Sequence, residues 1–377
     1  MSILISLLSF ILVLGGLVLI HEFGHFIIAK LCDVYVEEFA IGMGPKLFSF
    51  RKGETLYRIN LFPIGGYVKM LGEQDDSQDP RSFNRQSILK RMLIVTGGVM
   101  MNILLAGVAY FILLSISSFT LIIPQIVDYQ FKFAQSQNVI FVDYVAENSP
   151  AFEVGLEPGD VILSVNQREI TSMEEFKQLV NQNAGEEIVL SVIDYSGDNE
   201  RTIELTPRIN PPENEGPIGI SMVEAVKITY TGIHKIFSGF EHSFNMIAYT
   251  LVILKDLINR SFATGDISYV SDTISGPVGV YVVTDMVIKT AGLVGLLDII
   301  ALMSSSLAFM NLLPFPALDG GHVVLLLLEK IRGKRLNSTV ESWLTATGFI
   351  VLMGFMLLIT VKDLFQFGFW DWIIFWN

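Results

Sequence analysis

The chain has 377 residues, of which 51% are hydrophobic and only 17% charged, with a mean hydropathy of +0.53. Soluble domains carry about 25% charged residues, so an ordinary soluble enzyme is excluded. The net charge of −13 excludes a nucleic-acid binder, which needs a basic footprint to neutralise phosphates, and the single cysteine, Cys32, excludes an internal disulfide framework.

Residues 1–30 read as a first transmembrane helix. From Ser2 to Ala29 the only charged side chain is Glu22, and about 20 apolar residues suffice to cross a bilayer. The stretch has no basic n-region and no small-residue cleavage site, and its apolar run is too long for a signal peptide, so it reads as retained. At its end stands His21-Glu22-Phe23-Gly24-His25, an HExxH sequence. On a helix, positions i and i+4 share a face, so both imidazoles can grip one Zn²⁺ while Glu22 lies beside the open coordination position. Zinc lowers the pKa of a bound water to about 7, and Glu22 is placed to take its proton and pass it to the leaving amine. Ionisable groups at that depth are costly and mark function more often than they cap a helix.

Residues 31–90 alternate apolar and polar side chains between Tyr35 and Lys69, punctuated by Gly42, Gly44, Pro45, Gly53, Gly65 and Gly66. They predict short β-hairpins lying against the membrane, whose open edges need cover from protein or from a water-filled cavity. A second span covers 91–118. Ten Lys and Arg lie between Lys30 and Arg91 and four more between Lys330 and Arg335, which puts both connections on the cytoplasmic side. Both termini, the tail 363–377 and the long segment Ser118–Thr290 are then extracytoplasmic. That segment holds 10 basic and 23 acidic residues and so carries the whole net charge.

Within it, 125–210 has the periodicity of a small α+β domain. Asn138–Val145 and Val161–Val165 read as strands on either side of a Pro158-Gly159-Asp160 turn, and Ser172 with Glu175 caps a helix running to about Asn181. Ile188–Tyr195 pairs with Arg201–Leu205 across a Ser-Gly-Asp-Asn turn. The wording ENSPAFEVGLEPGDVILSVNQREI resembles a bacterial PDZ domain. PDZ domains capture extended peptides by strand addition, so the resemblance implies a substrate-contacting or gating module. Residues 211–290, including Met246–Leu254, are expected as an amphipathic membrane-surface segment.

A third span opens 291–332 and runs into Asn311-Leu-Leu-Pro314-Phe-Pro316-Ala-Leu-Asp319-Gly-Gly. Two prolines and two glycines break the helix there, and irregular backbone at that depth should line a cavity. A catalytic zinc needs a third protein ligand. His234 and His242 lie on the wrong side of the membrane; His322 is at a plausible depth, as is a carboxylate, and the broken segment favours Asp319. The fourth span covers 341–362.

HExxH in a first span, then a PDZ-like domain, then NLLPFPALDGG, with FAIGMGP at Phe39–Pro45, GGYVKM at Gly65–Met70 and SGPVGV at Ser275–Val280, resembles the site-2 protease family of intramembrane zinc metalloproteases. The branch it is most similar to is the bacterial regulator-of-sigma-E protease type. The resemblance covers nearly the whole chain and implies His21, His25 and Asp319 as zinc ligands and Glu22 as general base. It also implies that Asn311 and Pro314 to Pro316 hold an unwound substrate along which the Gly65-Gly66 loop lies. Many relatives read Ala-Gly-Pro where this chain has Gly97-Gly98-Val99 before Asn102, which puts the local backbone in doubt.

The expected architecture is an α-helical polytopic membrane protein with four transmembrane helices, an inserted extracytoplasmic PDZ-like α+β domain and a membrane-associated β-hairpin region. The expected function is zinc-dependent hydrolysis of peptide bonds within the spans of single-span proteins in the bacterial cytoplasmic membrane, with an anti-sigma factor or remnant signal peptides as substrates and no nucleic-acid partner. The alternative is a PDZ-bearing membrane scaffold with a structural metal site. A metal transporter would need polar residues threading several spans, and spans two and four offer almost none. Cys32 carries no assigned role, and His322 is either an outer partner of the metal ligands or an interfacial polar residue.

Overall fold

The computed structural model describes residues 3–73, 77–170, 172–194, 200–213, 215–271, 273–335 and 337–367. They divide into two compact units, one built from 1–110 and 257–377 and the other from 111–256.

In the first unit, α1 (Ile3–Leu31) runs uninterrupted because it holds no proline and no charge before Glu22. It stops in a turn where Val34 N–H donates to Ala29 O and Asp33 N–H to Lys30 O, with Asp33 in the left-handed region at φ 61°. Ala29 and Val34, fully buried, close that turn from within. The hairpin β1 (Val36–Lys52) and β2 (Thr55–Met70) then folds back on itself. Residues 56–59 pair with 48–51 on one side and with 38–41 on the other, and 38–41 pair in turn with 66–69. The expected short hairpins are thus one curled sheet whose edge is the Gly66–Met70 segment. The corners turn at Gly42 (φ 78°) and Gly65 (φ 85°), where an L side chain would be strained.

After a 3₁₀ turn at Phe83–Arg85 comes α2 (Ile88–Ile116). It continues helically through Val99, so the absent proline leaves no break in the backbone. A Cβ on Gly24 of α1 would collide with the Gly97 carbonyl oxygen of α2, and one on Gly97 with Gly24. The glycine pair is what lets the two helices approach so closely.

The second unit is built on a sheet ordered β3 (Thr120–Pro124), β9 (Ile220–Thr229), β4 (Gln135–Val145), β5 (Val161–Val165), β7 (Ile188–Ile193) and β8 (Glu200–Leu205), with the short β6 (Arg168–Glu169) pairing β5. The helices α3 (Pro150–Glu153) and α4 (Met173–Gln182) belong to it. Ser172 Oγ accepts from Glu175 N–H as the capping pattern predicts, and the Glu175 carboxylate pairs with Arg168. Val142, Ile162, Phe176, Ile188, Leu190 and Val192 form the core. The predicted Ser-Gly-Asp-Asn turn, at 196–199, lies outside the described residues, as does Tyr195.

One expectation is corrected here. Residues 211–290 do not form a continuous membrane-surface segment, because 220–229 are β9, a central strand held by β3 and β4. Both faces of it are covered, Ala225 packing in one hydrophobic cluster and Val226 and Ile228 in another. The long α5 (His234–Thr264) follows, and its Tyr249 packs with Phe131, Val226, Ile228 and Tyr230. Asn245 ties it down, donating to Lys132 O and accepting from Lys132 N–H.

The short α6 (Ser268–Ser271) leads to α7 (Pro277–Leu312), α8 (Asp319–Arg332) and α9 (Ser338–Gln366) in the first unit. Gly292 (φ 58°, ψ −136°) breaks α7, so the apolar span is Ala291–Leu312. The start of α7 is capped by Asp363 of α9, fully buried, which accepts from Gly276 and Gly279 N–H at 2.8 Å each. Among the described residues, four helices are long and apolar enough to cross a membrane: Leu8–Leu31, Ile88–Ile116, Ala291–Leu312 and Thr339–Gln366.

Candidate metal centre

His21 and His25 sit one helical turn apart on α1, and their Nε2 atoms lie 3.2 Å from each other. Asp319 is the first residue of α8, immediately after the non-helical stretch Leu313–Leu318. Proline at 314 and 316 stops α7 from continuing, and the chain turns back so that Asp319 Oδ2 lies 3.2 Å from His21 Nε2 and 3.5 Å from His25 Nε2. Glycine is required at the turn: a Cβ on Gly320 would strike the carbonyls of Leu312 and Leu313, and one on Gly321 that of Phe315. From α9, Gly348 leaves room for the Pro316 carbonyl.

These three atoms form a triangle with edges of 3.2 to 3.5 Å. Ligands about 2.05 Å from a tetrahedral zinc stand about 3.3 Å apart, so the donor set fits that ion. Two further observations agree. Asp319 Oδ2 is buried yet accepts no hydrogen bond among the described residues. A Cβ on Gly98 would lie 2.5 Å from His25 Nε2 and 2.7 Å from His21 Nε2, close to where a shared ion would sit. The glycine of α2 keeps that volume open.

Other groups orient the ligands. His25 Nδ1 donates to Ile94 O at 2.8 Å, which leaves the Nε2 lone pair for a metal. His21 Nδ1 faces the side chain of Asn102 at 3.3 Å, in a fully buried pocket. Arg91 at the start of α2 makes a bidentate pair with Glu329 of α8 (2.5 and 2.9 Å), with Arg91 only 4% exposed. That pair ties the helix carrying Asp319 to the helix that orients the histidines.

Glu22 is half-buried, and its carboxyl interacts electrostatically with both imidazoles and with Asp319. A Cβ on Gly66 would lie 3.1 Å from Glu22 Cγ, so the edge of the curled sheet runs beside it. Gly65, at the corner, contacts Met43 instead. Asn311 lies in the last turn of α7, and Pro314 and Pro316 lie in the break between Asn311 and Asp319. His322 is not brought to the triangle; its Nδ1 is 3.8 Å from Glu341 Oε1. His234 pairs with Glu241, and His242 is buried against Tyr230 in the second unit. Cys32 is part-buried against the hydrophobic cluster of Ala29, Val34 and Val36.

Gly98, Gly348, Asn102 and the Arg91–Glu329 pair were not predicted as parts of the site. The run Gly97-Gly98 inside an apolar span was the available signal for close approach, whereas an Arg at the edge of a span reads as a topology marker.

Residues 9–355 match peptidase family M50. A candidate zinc metalloprotease of Clostridium acetobutylicum is 36% identical over 364 residues, covering 96% of this chain and 97% of that protein. The regulator of sigma-W protease RasP of Bacillus subtilis is 29% identical over 426 residues, covering 95% and 98%. Among solved structures, the PDZ domain of an SdrC-like protein from Listeria monocytogenes aligns with 26% of this chain and 93% of its own, at 20% identity and a TM-score of 0.20. By the extent of these matches the chain belongs to peptidase family M50, the site-2 proteases, and is a zinc metalloendopeptidase of a multi-pass membrane type.

Proposed function

We propose that this protein cleaves peptide bonds inside the transmembrane segments of single-span proteins, with His21, His25 and Asp319 holding zinc and Glu22 as general base. The observation that carries the reading is the His-His-Asp triangle within a unit whose helices are long and apolar enough to cross a bilayer. When bound there, zinc supplies Lewis acidity that polarises the scissile carbonyl and acidifies the attacking water. Glu22, beside both imidazoles, accepts the water's proton and returns it to the departing amide nitrogen.

A helical substrate hides its carbonyls in intrahelical bonds, so it must unwind before attack. An extended substrate would add as a further strand along the Gly66–Met70 edge beside Glu22, and Asn311, Pro314 and Pro316, in and before the break that precedes Asp319, would help to hold it unwound. In this reading the substrate is an anti-sigma factor or a remnant signal peptide already shortened outside, in keeping with the name of the Bacillus relative. The protein sits in the bacterial cytoplasmic membrane with both termini and the β domain extracytoplasmic, as the basic residues of the two short connections favour. A structural zinc site would be closed by four protein ligands, and the position of His322 beside Glu341 weighs against that alternative.

The test compares wild type with Glu22→Gln in detergent on a tagged single-span substrate with a trimmed ectodomain. Wild type should cut, and Glu22→Gln should hold as much zinc while cutting about 10²–10⁴ times more slowly. Equal cleavage by both would remove Glu22 from the mechanism.

A further inference from the structure

We propose that Asn102 is a positioning residue for the metal centre: its side-chain oxygen accepts the Nδ1 proton of His21 and so holds the Nε2 lone pair toward zinc. The inference rests on reading His21 as a zinc ligand.

The geometry is specific about what the contact must be. Asn102 Nδ2 stands 3.3 Å from His21 Nδ1. In that orientation Nδ1 accepts, the ring proton sits on Nε2, and Nε2 is the atom 3.2 Å from both His25 Nε2 and Asp319 Oδ2. A protonated Nε2 has no lone pair to give a metal. Oxygen and nitrogen of an amide occupy nearly the same volume and are assigned from their partners. As placed, Asn102 Oδ1 is buried and accepts nothing among the described residues, so no donor opposes rotating the amide. The rotated amide puts Oδ1 against Nδ1–H and releases Nε2.

Two features fix the amide where it can act. Asn102 is fully buried in the middle of α2, and its backbone oxygen accepts from Ser304 Oγ of α7 at 2.8 Å. The same helix supplies Ile94 O to His25 Nδ1. One helix therefore sets the tautomer of both histidines, one through a backbone carbonyl and the other through a side chain. Besides Asp319 Oδ2, which faces Nε2, the Gly98 carbonyl is an acceptor beside the His21 ring, and the test has to separate it from Asn102.

Purified full-length protein in detergent would be compared as wild type, Asn102→Leu, Asn102→Asp and His21→Ala. Zinc affinity is read by competition with a chelator, and the histidine tautomers by ¹⁵N spectra of histidine-labelled, metal-free protein. Loss of an outer partner of a metal ligand weakens binding about 10- to 100-fold. Asn102→Leu, which keeps the volume and removes the acceptor, should show that loss and lose the Nδ1–H signature of His21. Asn102→Asp, which can only accept, should keep the signature and bind zinc at least as tightly as wild type. Wild-type affinity and signature in Asn102→Leu would overturn the inference and leave the role to the Gly98 carbonyl. Loss of the signature in Asn102→Asp would overturn it as well, since it would mean that the amide nitrogen is the required group. Undiminished zinc binding by His21→Ala would instead defeat the ligand assignment on which the inference rests.

Discussion

A methyl group on Gly98 would stand 2.5 Å from His25 Nε2 and 2.7 Å from His21 Nε2. Gly98→Ala should therefore empty the site, with zinc per chain by atomic emission falling to a small fraction of wild type and proteolysis lost with it. The fold should survive, because alanine favours a helix interior over glycine by about 1 kcal/mol. Full zinc occupancy in a folded Gly98→Ala protein would show that the ion does not sit between the two imidazoles. The three residues that the structure brings together were legible from sequence: HExxH sets His21 and His25 one helical turn apart, and Asp319 stands where the helix must break. Gly98 and Asn102 were not, because what they do depends on how α2 crosses α1, and a glycine or an asparagine in an apolar run does not state what it faces.

Between elements, the Arg91–Glu329 pair joins α2 to α8. Removing one partner of a buried pair leaves an uncompensated charge and costs about 3–5 kcal/mol. Arg91→Met and Glu329→Leu singly should each lower the thermal midpoint in detergent markedly, and the double variant should recover much of the loss. Additive losses would mean that the two side chains do not act as a pair. In the second unit, burial pushes His242 down to about 3 from an ordinary 6.5. The unfolded chain then takes up a proton that the folded domain refuses, so stability falls as pH drops from about 6.5 toward about 3. Hydrogen exchange of β9 and α5, corrected for intrinsic rates, should accelerate over that window in wild type, and His242→Gln should flatten the dependence. The strands β5 and β7 were readable from alternation alone, whereas β9 was not, because its partners β3 and β4 lie about 100 residues back in the chain and only the sheet shows that it is central.

At the scale of the whole molecule, β3 and β9 bring the β domain's entry and exit together: Thr120 pairs with Thr229, their hydroxyls 3.2 Å apart. Replacing 120–229 by a short linker should leave the zinc site intact and, if the domain screens long ectodomains, permit cleavage of an untrimmed substrate. Persistent rejection of the untrimmed substrate by a zinc-replete deletion would remove the domain from that role. The four long apolar helices among the described residues were legible in order because apolar runs of about 20 residues stand out in the sequence; the curled hairpin was not, since its double pairing is set by glycine corners and by α1.

The central claim is that hydrolysis takes place within a transmembrane segment. Mass spectrometry of both product termini, from a trimmed single-span substrate cut by zinc-loaded protein in lipid, tests it most directly. The account predicts new termini inside the apolar span, generated by wild type and absent with Glu22→Gln. Termini confined to the residues flanking the span would contradict it and leave a zinc peptidase that works at the membrane surface.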